Sequence, residues 1–311
     1  MSTNKSTITK PTTKNLFAPG HRACAGCGQV LAARTVLEAL GPGTIIANAT
    51  GCLEVTTTPY PQSAWGVPWI HSLFENAAAI ATGVRAALDY REKIKATGRA
   101  VKVVAQGGDG ATFDIGFGLI SGMWERDDDI LYICYDNEAY ANTGVQASGA
   151  TPLGANTTTT PPGKKPSPDN LGARQRKKDM LAIALAHGVP YVAQSTAGFL
   201  DDIARKVKKA RTIKGPAYLQ ILVPCIPGWG IKPEDTIQAG KLAAQTGLYP
   251  LLEFENGQLV SAGKVPRPTP TAAYYLKMQK RFAHLFKSPA GAEQITAIQK
   301  IAEENIKKYN L

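Results

Sequence analysis

The chain has 311 residues, enough for one large or two moderate domains with a sizeable core. With 44% hydrophobic and 19% charged residues it reads as an ordinary globular protein, and no run is apolar for long enough to span a membrane. The formal charge of +11 suits an acidic partner or electron carrier. Nucleic-acid binding is not expected, because the densest basic run, Arg174-Gln175-Arg176-Lys177-Lys178, lacks interleaved aromatics and reads as a solvated helix start.

Residues 1–16 are rich in Ser, Thr and Lys and lack the apolar segment of a secretion signal, which predicts a short tail on a cytoplasmic protein. Thiols then stay reduced, so the five cysteines point to metal, catalysis or core packing rather than disulfides. The stretch HRACAGCGQV holds Cys24 and Cys27, a spacing shared by zinc knuckles, redox dithiols and iron–sulfur sites. A helix is expected over Gln29–Leu40 and a strand over Thr44–Ala47, followed by Cys52 in ATGCLE. After a helical pattern over Glu75–Ala96, the strand Val101–Ala105 runs into Gly107-Gly108-Asp109-Gly110. The strand Ile130–Tyr135 then leads to Asp136-Asn137. Residues 142–172, too rich in Pro, Thr and Gly for regular structure, read as a long functional loop or an arm across a partner. Helices over Asp179–His187 and Leu200–Ile213, a weaker strand at Tyr191–Ala193, and a strand over Ala217–Val223 follow. That last strand precedes Cys225 in LVPCIPGW. A mixed extension begins at 232, with helical patterns near Glu234–Gln245, Thr271–Leu285 and Ala292–Lys308.

Alternation of apolar strands with helices predicts an α/β fold with a mostly parallel sheet covered by helices on both faces. Ligands of such sheets collect beyond the carboxyl ends of the strands. Cys52, the GGDG loop, Asp136-Asn137 and Cys225 each follow a different strand, so one active site is expected at that edge. A glycine-rich turn after a strand offers backbone N–H groups without side-chain bulk, which suits a phosphate, and Asp109 adds a hard oxygen ligand for Mg²⁺. Asn137 stands ready with a second oxygen. Cys134, mid-strand in LYICYD, reads as a buried inert thiol. His71 and Trp69 are equally readable as packing or as walls near a site, Glu54 as a hydrogen-bonding group near the cysteines or a surface residue, and His187 as a helix-end partner.

GDG followed after 26 residues by Asn resembles the diphosphate motif of thiamine diphosphate enzymes. With GHRACAGCG, ATGCLEV, WGVPWIHSLFENAAAIATGV, GGDGATFDIG, YDNEAYANTGVQ and TPLGANTTTTPPGK, the chain over roughly 17–255 resembles the beta subunit of 2-oxoacid:ferredoxin oxidoreductases, nearest the pyruvate branch. The resemblance implies thiamine diphosphate, Mg²⁺ and one [4Fe–4S] cluster as cofactors. Asp109, the side chain of Asn137 and the carbonyl of Ala139 would hold Mg²⁺, and Gly108, Asp109, Gly110 and Ala111 the diphosphate, helped by the turn from Asn137 to Asn142. Asn142 would reach the substrate and the reactive thiazolium, while Gln29 and Cys52 would lie against the cofactor; Gln29 alone reads as a helix N-terminal residue facing water. Cys24, Cys27, Cys52 and Cys225 would ligate the cluster, with a four-thiolate zinc site as the chemical alternative.

The resemblance further implies oxidative decarboxylation, with electrons leaving singly through the cluster to ferredoxin. The glutamate that such enzymes place on the aminopyrimidine belongs to a separate domain in this family. This chain is therefore expected to need alpha-, gamma- and delta-type partner subunits. Relatives of the pyruvate branch carry Arg where Ala147 stands and CPTGW where CIPGW stands, and Phe113 and Phe117 add bulk beside the diphosphate loop. These departures lean the expected substrate towards oxalate, split to CO₂ without coenzyme A, ahead of pyruvate. A non-redox thiamine enzyme with a zinc site is the more distant alternative. The expected division is a tail over 1–16, a cofactor domain over 17–231 with the loop 142–172, and an extension over 232–311 packing on partner subunits.

Overall fold

The computed structural model describes residues 15–94, 101–165, 167 and 170–311. Most of the tail expected over 1–16, and the end of the helix expected over Glu75–Ala96, lie outside the described residues. Among those described, eight strands form one sheet: β1 (Thr44–Asn48), β2 (Trp69–His71), β3 (Lys102–Gly108), β4 (Ile130–Asp136), β5 (Tyr191–Thr196), β6 (Ala217–Leu222), β7 (Leu252–Glu255) and β8 (Gln258–Ala262). Their spatial order is β2-β1-β3-β4-β6-β5-β7-β8. Every pairing up to β5 is parallel, and only β7 and β8 run antiparallel at one edge.

The helices are α1 (Gly28–Leu40), α2 (Cys52–Thr57), α3 (Ala77–Lys93), α4 (Phe117–Glu125), α5 (Met180–Ala186), α6 (Leu200–Thr212), α7 (Ile226–Trp229), α8 (Thr236–Gln245), α9 (Ala272–Lys277) and α10 (Pro289–Tyr309). The two-residue period of the strands sorts the core. Leu131, Ile133 and Tyr135 of β4 face a layer built from Val36 and Leu37 of α1 and Ile203 and Val207 of α6. Ile130, Tyr132 and Cys134 face the opposite layer, with Ala78 and Ala81 of α3 and Met123 and Trp124 of α4. Burying both faces explains why these strands read as continuous apolar runs.

The β7–β8 hairpin, missed in the sequence, turns at Asn256-Gly257, both at positive φ (47° and 78°). That dipeptide between apolar alternations is a strong short-range hairpin signal. Helix α4 was also passed over, as was the three-residue β2, which follows a proline and is too short for periodicity to reveal. The helix expected over Thr271–Leu285 instead divides into α9 and a 3₁₀ stretch, Lys280–Lys287.

Candidate functional site

Strands β1, β3, β4 and β6 are consecutive neighbours in the sheet, so their carboxyl ends converge. A cavity opens there, lined by Gln29, residues 48–53, Phe74, residues 107–110, Asn137 and residues 139–143. Of the expected cofactor residues, Gln29, Cys52, Gly108, Asp109, Gly110, Asn137, Ala139 and Asn142 line this one cavity. Ala111 does not; it lies buried in the π turn Gly110–Ile115 that continues from the loop. Gln29, expected on its own to face water, is 5% exposed, because α1 begins against the end of β6: a Cβ on Gly28 would lie 2.9 Å from the Pro224 backbone. Beneath the cavity, Gln106 donates to Asn48 Oδ1 at 2.7 Å and accepts from the Tyr135 hydroxyl at 3.2 Å, a buried amide chain that fixes the floor.

The loop carries the marks of a ligand cradle. A Cβ on Gly108 would meet nothing nearer than Tyr135 O at 3.9 Å, whereas one on Gly110 would come within 2.3 Å of the Tyr140 ring. Gly108 therefore leaves space and Gly110 gives up space to a neighbour. Gly51, at φ +153°, also faces open space. Asp109 is 1% exposed and accepts from the Asn137 N–H at 3.3 Å and from the Ser148 hydroxyl. None of the ion pairs among the described residues includes it. Burial, then the nearby charge of Asp136, push its carboxyl well above the usual range. A divalent cation is the complement such a carboxylate lacks. Asn137 Oδ1 accepts only a 3.3 Å bond from Ala139 N–H, and no donor among the described residues reaches the Ala139 carbonyl. Carboxylate, amide and carbonyl oxygens around a phosphate cradle fit Mg²⁺, which shares its shell with water and phosphate.

The four expected cluster cysteines also gather. Cys27 caps the start of α1, Cys52 opens α2 and Cys225 precedes α7. Cys24 is exposed, and its carbonyl accepts from Cys27 N–H at 3.1 Å. Gly26, at φ +75°, lets this turn approach the 232–236 segment so closely that a Cβ would fall 2.5 Å from Pro233 O. Burial, followed by Cys225, Cys27 and Cys24, pushes the Cys52 thiol up to about 12; burial leads for Cys225 too, which rises to about 11. Cys27, Cys52 and Cys225 are raised by burial first and then by neighbouring cysteines, so the expected cluster residues lie within electrostatic reach of one another. Zinc–sulfur bonds of about 2.3 Å would bring thiolates to about 4 Å from each other. Among the described residues, no group of three or more His, Cys, Asp or Glu is drawn together to hold a single metal ion.

Other residues take places the sequence did not disclose. Lys177, expected on a solvated helix start, turns inward and pairs with Asp136 at 2.5 Å and Glu138 at 3.0 Å. The long loop doubles back onto its own site: Ser148 reaches Asp109, Gly149 N–H donates to Asp114 at 2.9 Å, and Thr151 bonds the Glu138 carbonyl. Phe113 is buried in the sheet core and Phe117 packs against it, so neither crowds the cavity, and Ala147 does not line it. His71 bonds Thr50 at 2.7 Å and stacks on Trp69, a wall one layer behind the cavity. His187 accepts or donates at Ser121 and sits edge-on to Trp124, a packing role. Cys134 is fully buried, as its mid-strand position implied.

Residues 49–221 match the family described as thiamine pyrophosphate enzyme, C-terminal TPP binding domain. The chain is 52% identical to pyruvate synthase subunit PorB of Methanocaldococcus jannaschii, over 95% of its length and 96% of that protein. It is 51% identical to the subunit of the same name from Methanosarcina barkeri, over 98% and 100% of the two chains. Among solved structures it resembles a 2-oxoglutarate:ferredoxin oxidoreductase from Magnetococcus marinus, with a TM-score of 0.56 and 27% identity over 71% of this chain and 69% of that one.

Proposed function

The chain belongs to the beta subunits of the 2-oxoacid:ferredoxin oxidoreductases, thiamine diphosphate enzymes that act with partner subunits, and on that basis we propose that its oxoacid is pyruvate. The near-full-length identity of about half to subunits named for pyruvate synthase carries this choice. The oxalate expectation drew in part on crowding by Phe113 and Phe117, but Phe113 lies in the core, Phe117 packs half-buried against it, and neither lines the cavity. Pyruvate and coenzyme A would give acetyl-coenzyme A, CO₂, one proton and two electrons.

When bound, thiamine diphosphate supplies an electron sink for the pair left behind as the carboxylate departs. In this reading the backbone N–H groups of residues 108–111 face the diphosphate, and Asp109, Asn137 and the Ala139 carbonyl hold Mg²⁺. Gln29 and Asn142 orient cofactor and substrate from the cavity wall, and Cys52 stands at the boundary between cavity and cage. Cys24, Cys27, Cys52 and Cys225 would hold one [4Fe–4S] cluster, which would supply one-electron chemistry towards ferredoxin. Alpha-, gamma- and delta-type subunits complete the site, with the glutamate for the aminopyrimidine and further clusters, and residues 232–311 pack in part on them. Among the described residues no helix is long and apolar enough to cross a membrane.

The test is dye or ferredoxin reduction by the whole complex. Pyruvate with coenzyme A should drive it and oxalate should not; reduction by oxalate alone would reverse the substrate assignment. The isolated chain should turn over neither. Iron in the anaerobically purified complex should exceed the share of the partner subunits' clusters by one [4Fe–4S] complement per copy of this chain, and stoichiometric zinc in its place would reject the cluster.

A further inference from the structure

Glu138 stands between Asn137 and Ala139 at φ +67°, a left-handed backbone that a glutamate adopts only where its surroundings impose it. Its N–H donates to Asp136 Oδ1 at 3.1 Å and its carbonyl accepts from Thr151 at 2.8 Å. Its buried carboxylate accepts from Lys177 at 3.0 Å and from Arg281 at 2.5 Å. Lys177 is shared with Asp136, so two carboxylates compete for one ammonium and Arg281 supplies the second positive charge. Arg281 comes from the far C-terminal 3₁₀ stretch, 143 residues away in sequence.

The same guanidinium lies 4.1 Å over the ring of Trp229, with its Nε donating to Gln279. Trp229 closes α7, the short helix that begins directly after Cys225, and its indole N–H donates to the Asn137 carbonyl at 2.9 Å. One planar cation therefore touches both the turn that carries Asn137 and the arm that carries Cys225. Only arginine can stack its face on an indole while its edge bonds a carboxylate; a lysine offers charge without the plane.

We propose that Arg281 is a positioning residue that staples the 136–139 turn to the Cys225–Trp229 arm, holding the diphosphate site and the electron exit in one fixed geometry. This rests on the reading of that turn as the Mg²⁺–diphosphate site. Removing the guanidinium leaves Glu138 and Asp136 dividing one lysine, releases the strained turn, and frees Trp229 to move with Cys225.

The experiment uses the assembled complex stripped of thiamine diphosphate, titrated with the cofactor and Mg²⁺, with electron paramagnetic resonance of the reduced cluster as a second readout. Arg281→Met should bind the cofactor at least tenfold more weakly and alter the cluster signal. Arg281→Lys should recover only part of the affinity. Trp229→Phe, which keeps the stack and removes the indole N–H, should weaken binding several-fold. Wild-type affinity in Arg281→Met overturns the proposal. Should that variant fail to assemble, Trp229→Phe decides, and wild-type affinity there overturns it equally. Failure of the unmodified complex to bind thiamine diphosphate would instead overturn the assignment of the site.

Discussion

Replacing Asp109 by Asn tests the cation site with almost no change of volume. The side chain is 1% exposed, and an amide keeps both observed contacts, accepting from Asn137 N–H while its NH₂ turns to the Ser148 hydroxyl. Without ligand, the wild-type carboxyl is raised by burial and by Asp136. Its folded pKa exceeds its unfolded one, so this group's contribution to stability falls as pH rises above the ordinary carboxylate range. Asp109→Asn removes that slope and leaves the unliganded protein as stable as the wild type or more so. With Mg²⁺ and thiamine diphosphate the order should invert. At a free ligand concentration about a hundred times Kd, the wild-type complex gains ~2.7 kcal/mol from binding. Loss of outer-shell partners of a metal typically costs 10–100-fold in affinity, so loss of a direct ligand should cost at least ~100-fold and erase nearly all of that gain. Thermal melts of the complex with and without the ligand pair measure both arms. An undiminished ligand-induced rise in Tm in Asp109→Asn would refute the reasoning.

Gly110→Ala forces a Cβ to within 2.3 Å of the Tyr140 ring and should cost ~1–3 kcal/mol in a denaturant melt. Gly108→Ala, with nothing inside 3.9 Å, should leave the unliganded melt unchanged and weaken cofactor binding, read by titration. Cys225→Ser should lower the brown absorbance and the iron of the complex by one cluster's share, whereas Cys134→Ala, deep in the sheet core, should keep the iron and lose ~1 kcal/mol of stability. Lys177→Met leaves Asp136 and Glu138 without their shared cation and should destabilise the fold by ~3–5 kcal/mol, measured by chemical denaturation.

Much of this site was legible in one dimension. Alternation of apolar strands with helices implies parallel strands, and a parallel sheet delivers every strand end to one edge, so Cys52, Asp109, Asn137 and Cys225 could be placed at that edge from their positions alone. GGDG pointed to a phosphate by residue type, whereas the CAGC pair alone left zinc, dithiol and iron–sulfur chemistry open. Periodicity fails where a segment is short or irregular. That is why β2 went unseen, and why the loop 142–172 could be recognised as long but not as folding back to Asp109 through Ser148.

What the tertiary structure alone decided is the fate of charge and bulk. Lys177 reads as a solvated cation and Arg281 carries no signal in the sequence, yet both point inward, because buried Asp136 and Glu138 demand partners that sequence distance conceals. Phe113 and Phe117 flank the diphosphate loop in sequence and leave it in space, because the π turn after Gly110 buries Phe113 in the sheet core and Phe117, opening α4, packs half-buried against that core. Chain order determined which groups reach the active edge. Packing determined which of them face the ligand and which hold the others in place, since only in three dimensions does each buried polar group show its partner.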